Sequence, residues 1–167
     1  PLRVLFLGRL EQRKGISHVV PVMDKILRTH DNVVLDLVGS RVDDANMALV
    51  QGLLDAWPGR VVWHGFLAEE ALDPLMRATD IFLAPSLYES VGLIYVEAMR
   101  YSVPSVAYAA GGVPEVVEDG KDGLLSPLED QRALHDALET LITDADLRNR
   151  LSIAARKSFE DKFHYTL

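Results

Sequence analysis

The sequence contains no cysteine, which excludes a disulfide framework, a thiolate metal site and a cysteine nucleophile. It has no apolar run near the roughly 20 residues that a membrane-spanning helix needs, and its first residues lack the pattern of a signal peptide. These absences fit a cytoplasmic location. Positive charge is scarce: 17 Lys and Arg stand against 25 Asp and Glu, for a net charge of −8. A general nucleic-acid binder draws its affinity from phosphate neutralisation and needs the opposite balance, so nucleic acid is excluded as a partner. Low-complexity tracts, internal repeats and linker-like stretches are missing as well. Nothing therefore divides residues 1–167, a length that suits one domain with its own core. No initiator Met precedes Pro1, which opens almost directly on a strand, and the chain reads as a piece of something longer.

What is present alternates with regularity. Arg3–Gly8, Asn32–Gly39, Arg60–His64, Asp80–Ala84, Val103–Tyr108 and Gly123–Leu125 are short apolar runs that read as strands. Between them, apolar residues recur at helical spacing, first at Ile16, Val19, Val20, Met23, Ile26 and Leu27, then at Ala45, Ala48, Leu49, Leu53 and Ala56. Pro74 predicts a break, with Asp73 as N-cap and Pro74 first in a fresh helix. Gly92–Arg100 is the fourth helix, and a Gly111-Gly112 turn leads to a short one ending near Glu118. Ser126-Pro127-Leu128-Glu129 reads as a capping box before the stripe Leu134, Ala137, Leu138, Leu141 and Ile142. Thr143 or Asp144 caps the last helix. Near-continuous apolar strands alternating with amphipathic helices predict an α/β fold, a Rossmann-like doubly wound parallel sheet of about six strands covered on both faces. Such a sheet binds ligands at the carboxyl ends of its strands.

Two of those ends carry chemistry. The first, Gly8-Arg9-Leu10-Glu11-Gln12-Arg13-Lys14-Gly15, places Arg9 and Lys14 near a helix N-terminus, with Gly8 and Gly15 allowing a tight path. Cations there oppose the helix macrodipole unless an anion joins them. The loop has neither a Walker A nor a G-x-G-x-x-G pattern. Taken alone, it also reads as an exposed loop of solvated charges. The second end carries Glu89 in a loop and Glu97 eight residues on, inside a helix, with Gly92 at the helix start between them. Two carboxylates flanking a helix N-terminus could accept hydroxyl hydrogen bonds at either end of a bound diphosphate. The alternative is a polar loop residue and a solvated helix residue. Glu97, though, lies between Leu93-Ile94-Tyr95-Val96 and Ala98-Met99, where a carboxylate is partly buried and needs partners.

Over essentially its whole length the chain resembles the glycosyl transferases group 1 family. The resemblance rests on Gly8-Arg9 with Lys14-Gly15, Val38-Gly39, His64-Gly65, Asp80 with Pro85-Ser86, Glu89 through Glu97, Pro104, and Gly111-Gly112-Val113-Pro114-Glu115. It implies a retaining, family 4 enzyme of GT-B type, two Rossmann-like domains with the active site between them, of which this chain is the C-terminal, donor-binding one. The N-terminal acceptor domain would be absent from the chain. By the same resemblance Arg9 and Lys14, beside Gly8, contact the diphosphate of a nucleoside-diphosphate sugar. Gly92 and Leu93, after Val91, offer backbone amides to the phosphates. Glu97 holds the ribose, and Glu89 lies against the donor sugar. Gly65 and Phe66, with Leu67, border the base. Glu89, Arg9 and Lys14 are the expected catalytic set, with no metal and no cofactor. The reaction implied moves a hexose to the hydroxyl of a glycan, lipid or small-molecule acceptor, in the cytoplasm or, through the missing domain, at the inner membrane face. The sequence departs from the family pattern at Val91, where an aromatic residue is usual, at Ser90 and Ser102, where glycine is, and at Arg41, Arg100 and Tyr101.

Other features read as structural. Asp144-Ala145-Asp146 opens a helix, where acidic residues meet the macrodipole favourably. His18 and His30 read as surface residues, His64 as a pocket-rim candidate, and Phe163-His164-Tyr165 as a frayed tail or one that packs on the missing domain. Two rival functions share the architecture: a nucleotide-sugar epimerase half, and a non-catalytic nucleotide-sugar-binding module.

Overall fold

The computed structural model describes residues 1–164. Six strands, β1 (Leu2–Leu7), β2 (Val33–Val38), β3 (Val61–Trp63), β4 (Ile81–Leu83), β5 (Ser105–Tyr108) and β6 (Gly123–Ser126), form one sheet in the order β3-β2-β1-β4-β5-β6. Every pair is parallel. The connections are α1 (Ile16–Thr29), α2 (Asp44–Ala56), α3 (Glu69–Ala78), α4 (Leu93–Arg100) and the one-turn α5 (Val113–Val116), with α6 (Gln131–Thr143) and α7 (Ala145–Ser158) after β6. A π-helical turn, Phe159–Phe163, continues α7. This is the doubly wound α/β fold, and its strand order reverses between β1 and β4, where a crevice opens at the carboxyl ends.

Alternate residues of the strands feed two cores. Val4 and Phe6 of β1 and Val33, Leu35 and Leu37 of β2 pack beneath Val19, Met23 and Ile26 of α1 and Leu134, Leu138 and Leu141 of α6. On the other face Leu5, Val38 and Phe82 meet Tyr95 and Met99 of α4 and Ala155 of α7. Because β4 and β5 are buried on both faces, they show continuous apolar runs rather than alternation. Three helices begin with an aspartate whose side chain accepts from a backbone N–H: Asp43 from Asn46, Asp130 from Ala133 and Asp144 from Leu147. Asp144 and Asp146 are thus a helix start.

Two local expectations are corrected. Pro74 does not open a helix. It sits inside α3, whose N-cap is Ala68, while Asp73 accepts from Arg77 Nε and Tyr101 Oη. Pro21 occupies the same depth in α1. Each costs one turn bond, and Glu70, whose carbonyl loses its partner to Pro74, is exposed so that water can replace the bond. Nor is Ser126 a cap. It is the buried last residue of β6, opposite Tyr108, and its carbonyl accepts from Ala109 N–H. The sheet claims that backbone, the chain turns through Glu129 at φ 65°, and Asp130 caps α6 instead.

Leu35 lies at the centre of the first core with no exposed surface. Leu35→Ala is expected to cost about 2–5 kcal/mol, the transfer term plus the cavity, read as a lowered urea midpoint. A cost below about 1 kcal/mol would show that the site collapses around the loss.

Candidate functional site

The crevice is built from the loops that leave β1 and β4. The β1 loop forms a short 3₁₀ turn, Gln12–Lys14, and reaches α1 through Gly15 at φ 80°. A Cβ on Gly15 would stand 1.9 Å from the Pro85 carbonyl oxygen, so only glycine lets the two loops touch. Leu87 N–H donates to the Arg13 carbonyl at 2.9 Å, and Arg13 lies over the Tyr88 ring. Gly8, by contrast, needs no special backbone angle. A Cβ there would only meet the Lys14 stem at 3.4 Å.

Lys14 and Glu89 are brought together: Nζ lies 3.2 Å from Oε2, with side-chain exposures of 17% and 10%. Glu89 is therefore no solvated loop residue. Its backbone is clamped as well. Gly112 N–H donates to the Glu89 carbonyl at 2.8 Å, and a Cβ on Gly111 or Gly112 would fall 2.2 Å from the carbonyl oxygens of Glu89 and Ser90 respectively. The role of the glycine pair, signalled in sequence only by its place after a strand, is to fix this loop. Gly92, at φ 79°, is the N-cap of α4. Neither α1 nor α4 has a side-chain cap, so their first N–H groups are available to a ligand, and both helices start at the carboxyl edge of the sheet, after β1 and β4.

The remaining expected residues are more spread. Arg9 is on the rim but 65% exposed, turned toward Glu11 at 3.7 Å. Phe66 (76% exposed), Val91 and Leu93 are exposed apolar residues at the carboxyl edge, with Gly65 bonded through its carbonyl to Gly39 N–H. Glu97, one turn beyond Leu93, is half-buried, as expected, and among the described residues its ion-pair partner is Arg100 at 4.0 Å. It lies on the same face of α4 as Leu93 and, among the described residues, forms no ion pair with Lys14. Among the described residues, no group of three or more His, Cys, Asp or Glu is placed to hold a metal ion.

Two histidines, His18 and His30, differ from expectation, and His64 gains a partner. His18 is buried, in the first turn of α1, and shares a 2.8 Å hydrogen bond with Tyr108 Oη at the end of β5. Burial lowers its pKa from the usual 6.5, opposed by the charge of Glu129. Burial likewise pushes the Tyr108 phenol up to about 12, helped by Asp130 and Glu129. Periodicity had put Ile16, Val19 and Val20 on the buried stripe, and His18 falls at its edge because Tyr108 supplies a polar partner inside. His30 is half-buried between α1 and α6, 2.7 Å from Glu139. His64 is tied by Nε2 to Asp36 at 2.8 Å. Asp36, a buried carboxylate in mid-strand missed in the sequence, also accepts from Arg3 at 3.1 Å. The pair braces the turn into Gly65. Phe163 packs on the second core, and Tyr165 lies outside the described residues.

The family model for glycosyl transferases group 1 matches residues 1–158. The chain is 31% identical over 174 residues to alpha-maltose-1-phosphate synthase of Mycolicibacterium smegmatis, covering 97% of this chain and 44% of that protein. Among solved structures it is similar to Anabaena HepE in complex with UDP-glucose, with a TM-score of 0.85 and 26% identity over 97% of this chain and 44% of that one. It also shares the fold of the C-terminal domain of the group 1 family protein LpcC from Francisella tularensis, with a TM-score of 0.88 and 24% identity over 97% of this chain and 86% of that one. The chain spans about two fifths of the length of the curated relatives it matches. No helix among the described residues is long and apolar enough to cross a membrane.

Since its folded pKa is depressed, His18 contributes stability that is present above pH 6.5 and lost as pH falls toward the lower folded value. The urea midpoint is expected to drop between about pH 7.5 and pH 5.5, and His18→Gln to flatten that slope. Parallel profiles for the two proteins would show that His18 is not the titrating group. The sheet, the uncapped helix starts at the switch point and the matched residues together place this chain in the glycosyl transferases group 1 family.

Proposed function

We propose that residues 1–167 are the donor-binding, C-terminal half of a retaining GT-B glycosyltransferase that moves a hexose from a nucleoside diphosphate to an acceptor hydroxyl. The acceptor would be held by a second Rossmann-like domain, and the compartment would be the cytoplasm. The observation that carries this reading is the Lys14–Glu89 pair lying between two helix starts that lack side-chain caps. An enclosed lysine and an enclosed carboxylate are costly to bury and depend on each other, and a ligand seated between the two helix starts would draw on both charges.

Each residue then has a task. The bond between the anomeric carbon and the diphosphate oxygen breaks, and its electron pair stays with the diphosphate. Lys14 and Arg9 face the charge that develops there, and the N–H groups at the starts of α1 and α4 add two positive dipole ends. No metal is needed in this scheme. When the diphosphate gives Lys14 a second anionic partner, Glu89 is released to accept from sugar hydroxyls near the reacting face. Glu97, about 6 Å along the α4 axis from Leu93, accepts from the ribose, while Gly65 and the exposed Phe66 border the base. Val91, exposed beside Gly92, lies where the phosphates would pass. UDP and UDP-glucose, which HepE binds, are the first donors to try.

Calorimetry of the chain with UDP, GDP and ADP is expected to find one saturable site. Lys14→Ala and Glu97→Ala should each weaken it about tenfold or more, since each removes a charge-assisted hydrogen bond. Equal affinity in both variants would sink the assignment. The isolated chain is expected to show no sugar transfer, because the acceptor side lies elsewhere. Transfer by the fragment alone would contradict the two-domain reading, and recovery of transfer on fusion to its partner domain would support it.

A further inference from the structure

At the amino edge of the sheet, opposite the crevice, three helices deliver arginines to one depression of about 500 Å³. It is lined by Arg77 at the end of α3, Arg100 and Tyr101 at the end of α4, Ser102, and Arg156 in α7. Concentrated cation is unusual in a chain of net charge −8, and these three are oriented rather than loose. Arg77 and Arg100 both lie over the Tyr101 ring, at 5.5 and 5.8 Å from its centre, and Arg156 lies over Phe159 at 5.4 Å. A cation over an aromatic face is held there by the ring quadrupole and keeps N–H groups free to donate.

Their donors are largely unspent. Arg77 and Arg156 use Nε on Asp73 and Glu160 of their own helices, and Arg156 adds one bond to the Arg100 carbonyl. Among the described residues the Arg100 side chain makes no hydrogen bond, and its ion pair with Glu97 is at 4.0 Å. All three carboxylates lie three or four residues away on the same helix; the pairs of Arg77 and Arg156 are surface pairs worth little each, and the half-buried Glu97 is the most distant partner at 4.0 Å. Ser102 presents a hydroxyl with no partner among the described residues, from a backbone held at φ 63°. Fork-shaped donors from three helices, lining one depression, match the several oxygens of a tetrahedral oxyanion.

We propose that this depression is a second anion site, distinct from the donor crevice, that takes a phosphate group, with Arg77, Arg100 and Arg156 clamping its oxygens and Ser102 donating to it. The phosphate could belong to a free phosphomonoester or to a lipid headgroup, and the two are separable. The full chain is titrated with inorganic phosphate and with a soluble phosphomonoester, followed by NMR shifts. Separately it is sedimented with vesicles of neutral lipid, with and without an anionic phospholipid. Saturable phosphate binding is expected, weakened about tenfold or more in Arg100→Gln and in Arg156→Gln and unchanged in Lys14→Ala, which keeps it apart from the donor site. Vesicle binding that requires anionic lipid, fails in the same arginine variants and is displaced by phosphate identifies a headgroup. Phosphate binding without vesicle binding identifies a free phosphate. Circular dichroism verifies that the variants fold. No saturable binding, binding indifferent to the arginine variants, or binding lost in Lys14→Ala overturns the proposal.

Discussion

The crevice depends on a backbone contact. The loop after β1 and the loop after β4 can lie against each other only where Gly15 has no Cβ, because the Pro85 carbonyl occupies that place. The contact has two consequences. It starts α1 at the sheet surface with its first N–H groups uncapped, and it sets the Lys14 side chain, one residue earlier, against Glu89. Any side chain at Gly15 would force the loops apart and take the ion pair with them. The Gly111-Gly112 clamp performs the same service from the β5 side, by filling the space behind the Glu89 and Ser90 carbonyls. Three glycines thus define where two charges sit, and no charged residue defines its own position.

The electrostatics follow from that geometry. A cation at a helix start opposes the macrodipole, and an enclosed lysine pays a desolvation cost besides. Glu89 offsets both. It is itself enclosed, so neither group is stable there without the other. A pair of this kind favours a ligand that supplies both signs of complement, an anion for Lys14 and hydroxyl donors for Glu89, over a simple anion that would leave the carboxylate unmatched. A sugar attached to a diphosphate has that combination. Under the proposed function, the 3.2 Å pairing, rather than the fold, would be the physical reason for preferring a conjugate over its phosphate part.

Most of the architecture was legible in the sequence because β1, β2, β4 and β5 are apolar almost without interruption, and buried parallel strands have no solvent face to encode. The loops carrying Lys14 and Glu89 stood out as charges beside glycines at strand ends, but the sequence left open whether those charges were solvated; the 3.2 Å pairing removes that alternative for these two residues. What was not legible depended on partners distant in sequence. His18 looks like a surface residue until Tyr108, 90 positions on, offers its hydroxyl. Asp36 interrupts an apolar strand without explanation until Arg3 and His64 arrive from either side. Pro74 obeys a local rule that burial of the neighbouring Leu75 and Met76 against the second core overrides. Ser126 fits a capping pattern in every local respect, but strand pairing with Tyr108 claims it first.

The two edges of the sheet also differ in what their cations cost. At the carboxyl edge Lys14 stands at the positive end of a helix, where it opposes the dipole and depends on Glu89 as counter-charge. At the amino edge Arg77 and Arg100 stand in the last turns of α3 and α4, where the negative dipole end favours them with no ligand present. Favourable helix ends explain why each of those arginines is tolerated. They do not explain why Arg156, in the last turn of a third helix, is turned onto the Arg100 carbonyl. Nor do they explain why two guanidiniums share one tyrosine ring. Dipole complementarity acts on each helix separately and has no preference for convergence. Convergence is a property of the group as a whole: each arginine keeps a carboxylate of its own helix, and the N–H groups left over line one depression, an arrangement that a multivalent anion would select.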